Sequence, residues 1–533
     1  MPTSAHPQPR LTDRPRLLEA LAQPREYDLA VIGGGATGLG VALDAALRGL
    51  SVVLLESHDF AKGTSSRATK LVHGGVRYLA QGNVSLVREA LHERTTLLHN
   101  APHLAQPLAF VMPSYKFWET PFYGAGLKIY DMLAGKAGLG PTEFLGAAGA
   151  SRCLPGIRVR GLCGGVKYWD GQFDDARLAL ALARTAAERG ALVVNYCGVT
   201  GLLHEHGRIV GLRCQDAEFG SEYTLRARAV VNAAGVWVDE IRRQDGAALG
   251  RSVKPMVAPS QGVHLVVDRE FLPGEHALLV PKTRDGRVLF AVPWLGKLVL
   301  GTTDTPRHDL ALEPDAYARE VEFILSEAAH YLQRAPTRAD VKSIWVGLRP
   351  LVRPPDDEDG ESTKKISREH TVLASPSGLV TVTGGKWTTY RAMAEDVLDK
   401  CVQTGLFDSL VPSRTADFKL VGAIGAKRRT RISQPPGLDA YGSEAACVQA
   451  LEGSDVQIVP GLSAAMVRFA VRYEYARCVE DVLARRFRLL FLDARLAAEV
   501  APRVAGIVQQ ETGLDPRLGQ FLDLTRHYLN LPS

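Results

Sequence analysis

Residues 27–56 read YDLAVIGGGATGLGVALDAALRGLSVVLLE, and the punctuation of this run decides the fold. The apolar run 29–32 predicts a buried parallel strand. It ends in Gly33, Gly35 and Gly38, spaced GxGxxG, with a helix expected over about 37–48 and a second strand over 51–55 that closes on Glu56. Together these pieces make one βαβ unit. Glycine at those positions lets the backbone turn tightly and approach a pyrophosphate, while the helix N-terminus offers N–H groups and the positive end of a dipole. Glu56 can accept hydrogen bonds from both hydroxyls of an adenosine ribose, and its charge would repel a 2′-phosphate. The unit predicts a dinucleotide site, compatible by itself with NAD or FAD and with many reactions.

Working outward, 533 residues suffice for about two to four domains with substantial cores. A net charge of +5 spread along the chain gives no nucleic-acid footprint, and an anionic substrate or surface stays open. The seven cysteines lie far apart, without CxxC or metal-ligand spacing, so no metal is expected and unpaired thiols in a reducing compartment are. No apolar run approaches the roughly 18 to 20 residues that span a bilayer. Residues 1–25 mix Arg10, Arg14, Arg16 and Arg25 with Asp13 and Glu19 and contain no apolar core. They are expected to form a partly disordered extension with a helical turn around 17–21, neither secretory signal nor transit peptide.

After Glu56 comes KGTSSRATKLVHGGVRYL (62–79), whose small hydroxyl residues and paired glycines suit a loop around a cofactor. Lys70, His73 and Arg77 gather three potential cations there. The segment 110–135 concentrates aromatic rings with Lys116 and Lys128, a composition that suits a membrane interface or packing between domains. Asp174 and Asp175 cap an alanine-rich helix expected over 176–189. In ARAVVNAAGVW (227–237) a strand ends in Ala233, Ala234 and Gly235, permitting another close backbone approach. Residues 253–303 read as an antiparallel sheet apart from the dinucleotide layers. The run 354–363 is expected to be an exposed loop, and Gly384 and Gly385 precede a helix beginning near Thr388, a second N-terminus able to face a ligand. Beyond about residue 410 helical patterns dominate.

In this order, GGGATG, TSSRATKLVHGGVRYL, NAAGVW, LGTTD, VGLRPL, ISREHTV, GGKWTTYR and YEYARCVEDVLARRFRLLFLDA closely resemble the FAD-dependent glycerol-3-phosphate dehydrogenases, within the D-amino-acid-oxidase-like flavoproteins. The resemblance runs from Tyr27 to about residue 500. It implies an α/β Rossmann-like FAD-binding domain interleaved, over 26–405, with an antiparallel-sheet substrate domain drawn mainly from 80–150 and 253–370. An all-helical C-terminal domain over 411–533 follows. The implied cofactor is FAD, held by Gly33, Gly35, Thr37, Gly38, Glu56, Thr64, Ser65, Ser66, Lys70, Leu71, His73, Gly74, Val199, Ala233, Ala234, Gly235, Gly385, Lys386, Trp387 and Thr388.

The implied reaction is oxidation of sn-glycerol 3-phosphate to dihydroxyacetone phosphate, with reduced flavin passing electrons to a membrane quinone. Residue chemistry agrees, because a phosphomonoester carries roughly −1.5 to −2 charge and its pocket needs at least two cations. Within the matched motifs these are Arg77, Arg349, Arg368 and Lys386. Arg368 and Lys386 are assigned to the phosphate, Arg77 and Arg349 to the reacting hydroxyls, and Thr388 to a further contact. For the base the candidates are His73 and His264, each of which a crowd of cations would hold neutral. Alternatives are an oxidase that passes electrons to oxygen, an amine or amino-acid oxidase, and a non-catalytic flavin-binding subunit. A quinone acceptor implies peripheral contact with the inner face of the cytoplasmic membrane, for which 110–135 and the basic helix around Arg485, Arg486 and Arg488 are candidates. The family suggests a homodimer.

Overall fold

A computed structural model describes residues 11–76, 83–283, 286–353, 369–426 and 430–533. The opening βαβ unit forms as read. Strand Glu26–Ile32 runs into helix Ala36–Leu47, and strand Val52–Leu55 returns parallel to the first, Leu29 beside Val52 and Ile32 beside Leu55. Leu29, Ala30 and Val31 are wholly buried because helices cover both faces of this sheet, as parallel strands require.

Among the described residues the first sheet has eight strands. Across it stand His370–Ala374, Leu379–Gly384, Glu222–Asn232, Glu26–Ile32, Val52–Leu55 and Leu192–Val194, all parallel except the first, with the hairpin Cys197–Glu205 and Arg208–Asp216 joined to Glu222–Asn232. Strands from residue 26 to residue 384 share this sheet, and strands of the second sheet lie between them in sequence.

The second sheet has ten described strands, nearly all antiparallel. It takes Val257–Asp268, Ala277–Val280, Leu289–Trp294, Lys297–Gly301 and Ser343–Val352, together with Ala105–Ser114. It also takes Gly164–Phe173, which pairs along its full length with Ala105–Ser114. That strand lies between the stretches 80–150 and 253–370 expected to supply the main part of the substrate domain. Its sequence, GGVKYWDGQF, opens on two glycines and mixes charges with aromatics, so it carries no clean alternation to read.

The C-terminal part is helical, with one two-stranded ribbon, Gln457–Val459 and Leu462–Ser463. Its apolar core is continuous with the second sheet: Val266, Trp294, Val299 and Trp345 pack among Phe469, Leu483, Phe491 and Val504. The arginines near its π-helical turn Asp481–Arg486 overturn the expectation of a basic, membrane-facing helix. Arg485, Arg486 and Arg488 are buried, and their guanidinium groups meet Asp59, Glu480, Asp481 and Asp175. Buried arginine must find carboxylates, and these acids lie partly in the first domain. The N-terminal helix Arg14–Ala22 is fixed likewise, Arg14 pairing with Asp216 and donating to the Tyr196 carbonyl at 3.0 Å. Residues 1–10 and 354–368 lie outside the described residues, and with them the expected N-terminal disorder and the exposed loop. No disulfide joins cysteines among the described residues.

Segment 110–135 divides. Phe110 is core in the strand Ala105–Ser114, whereas the helix Glu119–Ala134 is amphipathic with its apolar face outward. Phe122, Ile129 and Met132, with Trp118 and Phe117 before them and Phe144 beside them, are exposed, while Gly124, Leu127 and Tyr130 face inward.

Candidate functional site

The cradle at the end of strand Glu26–Ile32 is as tight as a pyrophosphate turn must be. Gly33 adopts φ +108°, and a Cβ on Gly38 would lie 1.9 Å from the Gly33 carbonyl oxygen. Helix Ala36–Leu47 starts from Gly35, which has no side chain to cap the first turn, so its dipole end stays available to an anion. A Cβ on Gly35 would meet only Ser65 Oγ, at 3.1 Å, so the space above this turn is open. Ser65 Oγ accepts from the Ala36 N–H at 2.9 Å, and Glu56 accepts from the Gly34 N–H at 2.7 Å. Turn, loop and acid are thus joined at one place, which Thr37, at the helix start, also borders. Val199 sits in the strand Cys197–Glu205, where Gly198 lies against Ser57. Ala233 and Ala234 approach Gly33 from the neighbouring strand end.

The loop after Glu56 connects the two sheets. Its short 3-10 turn Thr64–Ser66 receives the Trp387 Nε1–H on the Ser65 carbonyl at 2.8 Å. The His73 N–H donates to Thr388 Oγ1 at 3.2 Å, and the Thr383 hydroxyl donates to the Gly235 carbonyl at 3.2 Å. So residues 64–74, 233–235 and 383–388 converge, Gly385 and Lys386 among them, although the sequence separates them by more than three hundred positions. Leu71 is buried in a two-residue strand against Gln172, and the Gly74 N–H donates to the Tyr130 hydroxyl at 2.8 Å.

Arg349 and His264 stand on paired strands of the second sheet, Ser260 opposite Arg349 and His264 opposite Trp345. Gly262 makes room for the guanidinium, since a Cβ there would fall 2.4 Å from Arg349 Nη2; Gly301 does the same for His264, at 2.6 Å from its ring. Arg349 donates to Thr302 Oγ1 at 3.2 Å and lies 3.4 Å from Asp304, residues of the LGTTD motif that sequence reasoning quoted without assigning. The flavin loop is tied to both strands: the Thr64 hydroxyl donates to the carbonyl of Leu348, the residue before Arg349, at 2.5 Å, and Thr69 Oγ1 contacts His264 Nε2 at 3.0 Å.

His264 is buried and stacks on Trp345 with ring centroids 4.0 Å apart. Its pKa falls well below the usual histidine value, chiefly through burial, then through the positive charges of Lys70 and Arg349. Its Nδ1 has no hydrogen-bond partner among the described residues. Lys70, assigned from sequence to the cofactor, has its ammonium turned inward: Nζ donates to Asp175 Oδ2 at 2.8 Å and to the Ser66 carbonyl at 2.7 Å. Asp175 therefore does more than cap its helix. Arg77 and Arg368 lie outside the described residues.

A family model described as FAD dependent oxidoreductase matches residues 28–391, and one described as the C-terminal domain of alpha-glycerophosphate oxidase matches 413–517. The chain is 41% identical to the mitochondrial glycerol-3-phosphate dehydrogenase of Mus musculus, over 93% of this chain and 72% of that one. It is 39% identical to a mitochondrial glycerol-3-phosphate dehydrogenase of Arabidopsis thaliana, over 99% and 89%. Among solved structures it is similar to the glycerol-3-phosphate dehydrogenase of Bacillus halodurans complexed with FAD, with TM-score 0.77, 30% identity and 98% of each chain covered. The open, side-chain-free turn at Gly33, Gly35 and Gly38, beside Glu56, fits the pyrophosphate and ribose of that cofactor.

Proposed function

The chain belongs to the FAD-dependent glycerol-3-phosphate dehydrogenase family, and from that premise we propose that it oxidises sn-glycerol 3-phosphate at C2 to dihydroxyacetone phosphate and passes the electrons to a membrane quinone. The observation that carries the reading is the double tie of the flavin loop to the strands that bear Arg349 and His264, through Thr64 and through Thr69. A guanidinium and a neutral imidazole are thereby held beside the same loop.

FAD, when bound, supplies the hydride acceptor and the two-electron store. The side chains supply the rest. Arg349, oriented by Thr302 and Asp304, holds the reacting hydroxyls and stabilises negative charge on the C2 oxygen. His264, with His73 as the other candidate, takes the hydroxyl proton. Lys386 and Arg368 receive the phosphate, Arg77 assists at the hydroxyls, and Thr388 adds a contact. Arg349→Ala is expected to lower kcat/KM for glycerol 3-phosphate by about 1.5–3 kcal/mol, roughly ten- to hundredfold. Steady-state kinetics that match the wild type would remove Arg349 from the site.

The decisive experiment mixes holoprotein with glycerol 3-phosphate without oxygen. Loss of the oxidised-flavin absorbance with formation of dihydroxyacetone phosphate is the expected result, and an unchanged spectrum would overturn the reading in favour of a non-catalytic flavoprotein. Reoxidation by a soluble quinone, with little peroxide on exposure to air, is expected; rapid peroxide formation would make the protein an oxidase.

No helix among the described residues is long and apolar enough to cross a membrane. The contact proposed is peripheral, on the inner face of the cytoplasmic membrane. It is made by the outward apolar face of Glu119–Ala134, where Phe122 and Met132 are 65% and 71% exposed and the exposed Lys116 and Lys136 flank the helix. Introducing charge with Phe122→Glu and Met132→Glu together is expected to move the holoenzyme from the pellet of anionic lipid vesicles to the supernatant, with activity toward a soluble dye retained. Unaltered sedimentation would exclude this face. A homodimer is the proposed assembly, checked by light scattering on the holoenzyme.

A further inference from the structure

We propose that Lys70 is a positioning residue for proton abstraction, its buried ammonium keeping the imidazole of His264 neutral and in place to accept the C2 hydroxyl proton. The proposal rests on the reading of His264 as the base.

Lys70 and His264 share one indole. The ammonium lies 4.6 Å from the Trp345 ring centroid, and the imidazole stacks on that ring at an interplanar angle of 19°. The residue next to Lys70 completes the link, since Thr69 Oγ1 holds His264 Nε2. In the tautomer whose Nε2–H donates to Thr69, the lone pair is on Nδ1, the buried atom without a partner among the described residues. The proton that leaves the substrate hydroxyl would end on that nitrogen while C2 loses its hydride to the flavin, leaving a carbonyl.

The charges bearing on His264 come from two elements and have one sign: Lys70 from the loop and Arg349 from the neighbouring strand. Asp304 partly offsets the second. Those bearing on Lys70 are Arg488, from the C-terminal part, and the acids Asp175 and Asp174 at the start of helix Asp175–Glu188. Arg488 already occupies Asp175 Oδ1 and the Ser66 carbonyl, so the acid has a cation without Lys70. A lysine that only filled space among Trp294, Trp345 and Phe491 would be better replaced by an apolar chain, because burying an ammonium is costly. Burial and Arg488 bring Lys70 down to about 7. Its charge is therefore present over the pH range in which a histidine, ordinarily near about 6.5, would protonate, and is lost where histidine is neutral anyway.

The test follows the rate of flavin reduction by glycerol 3-phosphate, without oxygen, between about pH 5 and pH 8 in wild type, Lys70→Met, Lys70→Arg and His264→Asn holoenzymes. Lys70→Met is expected to move the acid limb upward by about one pH unit, roughly a tenfold loss of rate at the acid end, with a near-normal plateau at high pH. Lys70→Arg should restore the wild-type limb, and His264→Asn should abolish it. Persistence of the wild-type limb in His264→Asn would sink the base assignment. If His264→Asn abolishes the limb and Lys70→Met leaves it in place, the role of Lys70 falls. Should Lys70→Met fail to retain FAD, NMR of carbon-labelled histidine in the wild-type holoenzyme decides: His264 is expected to stay neutral through the ordinary histidine range, and titration near about 6.5 would overturn the proposal.

Discussion

Gly38→Ala is expected to purify with less than about a tenth of the normal flavin content, from an affinity loss of about a hundredfold or more. The added methyl would lie 1.9 Å from the Gly33 carbonyl oxygen and 3.4 Å from Ala233 Cβ. The first is a backbone atom and the second a methyl carbon fixed directly to backbone, so neither can swing away as a long side chain can. Helix Ala36–Leu47 would have to withdraw from the strand end, and its N-terminal N–H groups would leave the place where a pyrophosphate sits. Gly506→Ala is the control. Gly506 lies inside helix Ala494–Thr512 with nothing within 4 Å of an added Cβ, so that variant should keep full flavin and lose no stability. A Gly38→Ala protein with full flavin stoichiometry would refute the close-approach argument.

Asp59→Ala is expected to lower the melting temperature of the holoenzyme by about 5 °C or more, from a loss of roughly 3–5 kcal/mol. Asp59 is wholly buried and receives both Arg485 and Arg486, with Asn195 Nδ2 at 3.2 Å. Around it four carboxylates, Asp59, Glu313, Glu480 and Asp481, face four cations, Lys62, Arg67, Arg485 and Arg486. Because the signs balance, burial is tolerable, and removing Asp59 leaves Arg486 without a carboxylate and Arg485 with only Glu480 and Asp481. A melting temperature within about 1 °C of wild type would mean that the cluster contributes nothing.

The same cluster sets the acid limit. The arginines and Lys62 hold Asp59, Glu313 and Glu480 below the usual carboxylate range against the opposing effect of burial, while burial and Asp59 push Asp481 up. A depressed carboxylate stabilises the fold fully above its unfolded pKa of about 4 and loses that contribution as pH falls through the folded value. The raised Asp481 acts with the opposite sign: its contribution is present below the unfolded pKa and is lost as pH rises through the folded one. The three depressed acids therefore predict a melting temperature that falls steeply below about pH 4.

How far the site was legible follows from the range of each signal. The cradle was readable because turn, helix and acid lie within one run of thirty residues, and a glycine that nothing else can replace marks itself. Arg349 and His264 were readable as chemistry inside recognisable motifs, but not as neighbours of the flavin loop. Thr302 and Asp304 passed unassigned because their task exists only once two strands pair. The strand Gly164–Phe173 was missed because its glycines and charges break the alternation on which strand reading depends.

The basic run near residue 486 marks the boundary. Its helical character was local and readable; its arginines looked like a surface because their partners Asp59 and Asp175 stand more than three hundred residues earlier in the chain. By itself the sequence determined the βαβ cradle, the cofactor and the family, since periodicity, glycine spacing and motif order act over short runs. Only the tertiary structure decided which cations are buried with carboxylates and which face solvent, that Lys70 turns inward beside His264, and that the apolar face of Glu119–Ala134 points outward. Burial and charge pairing depend on distances in space, which spacing along the chain does not encode.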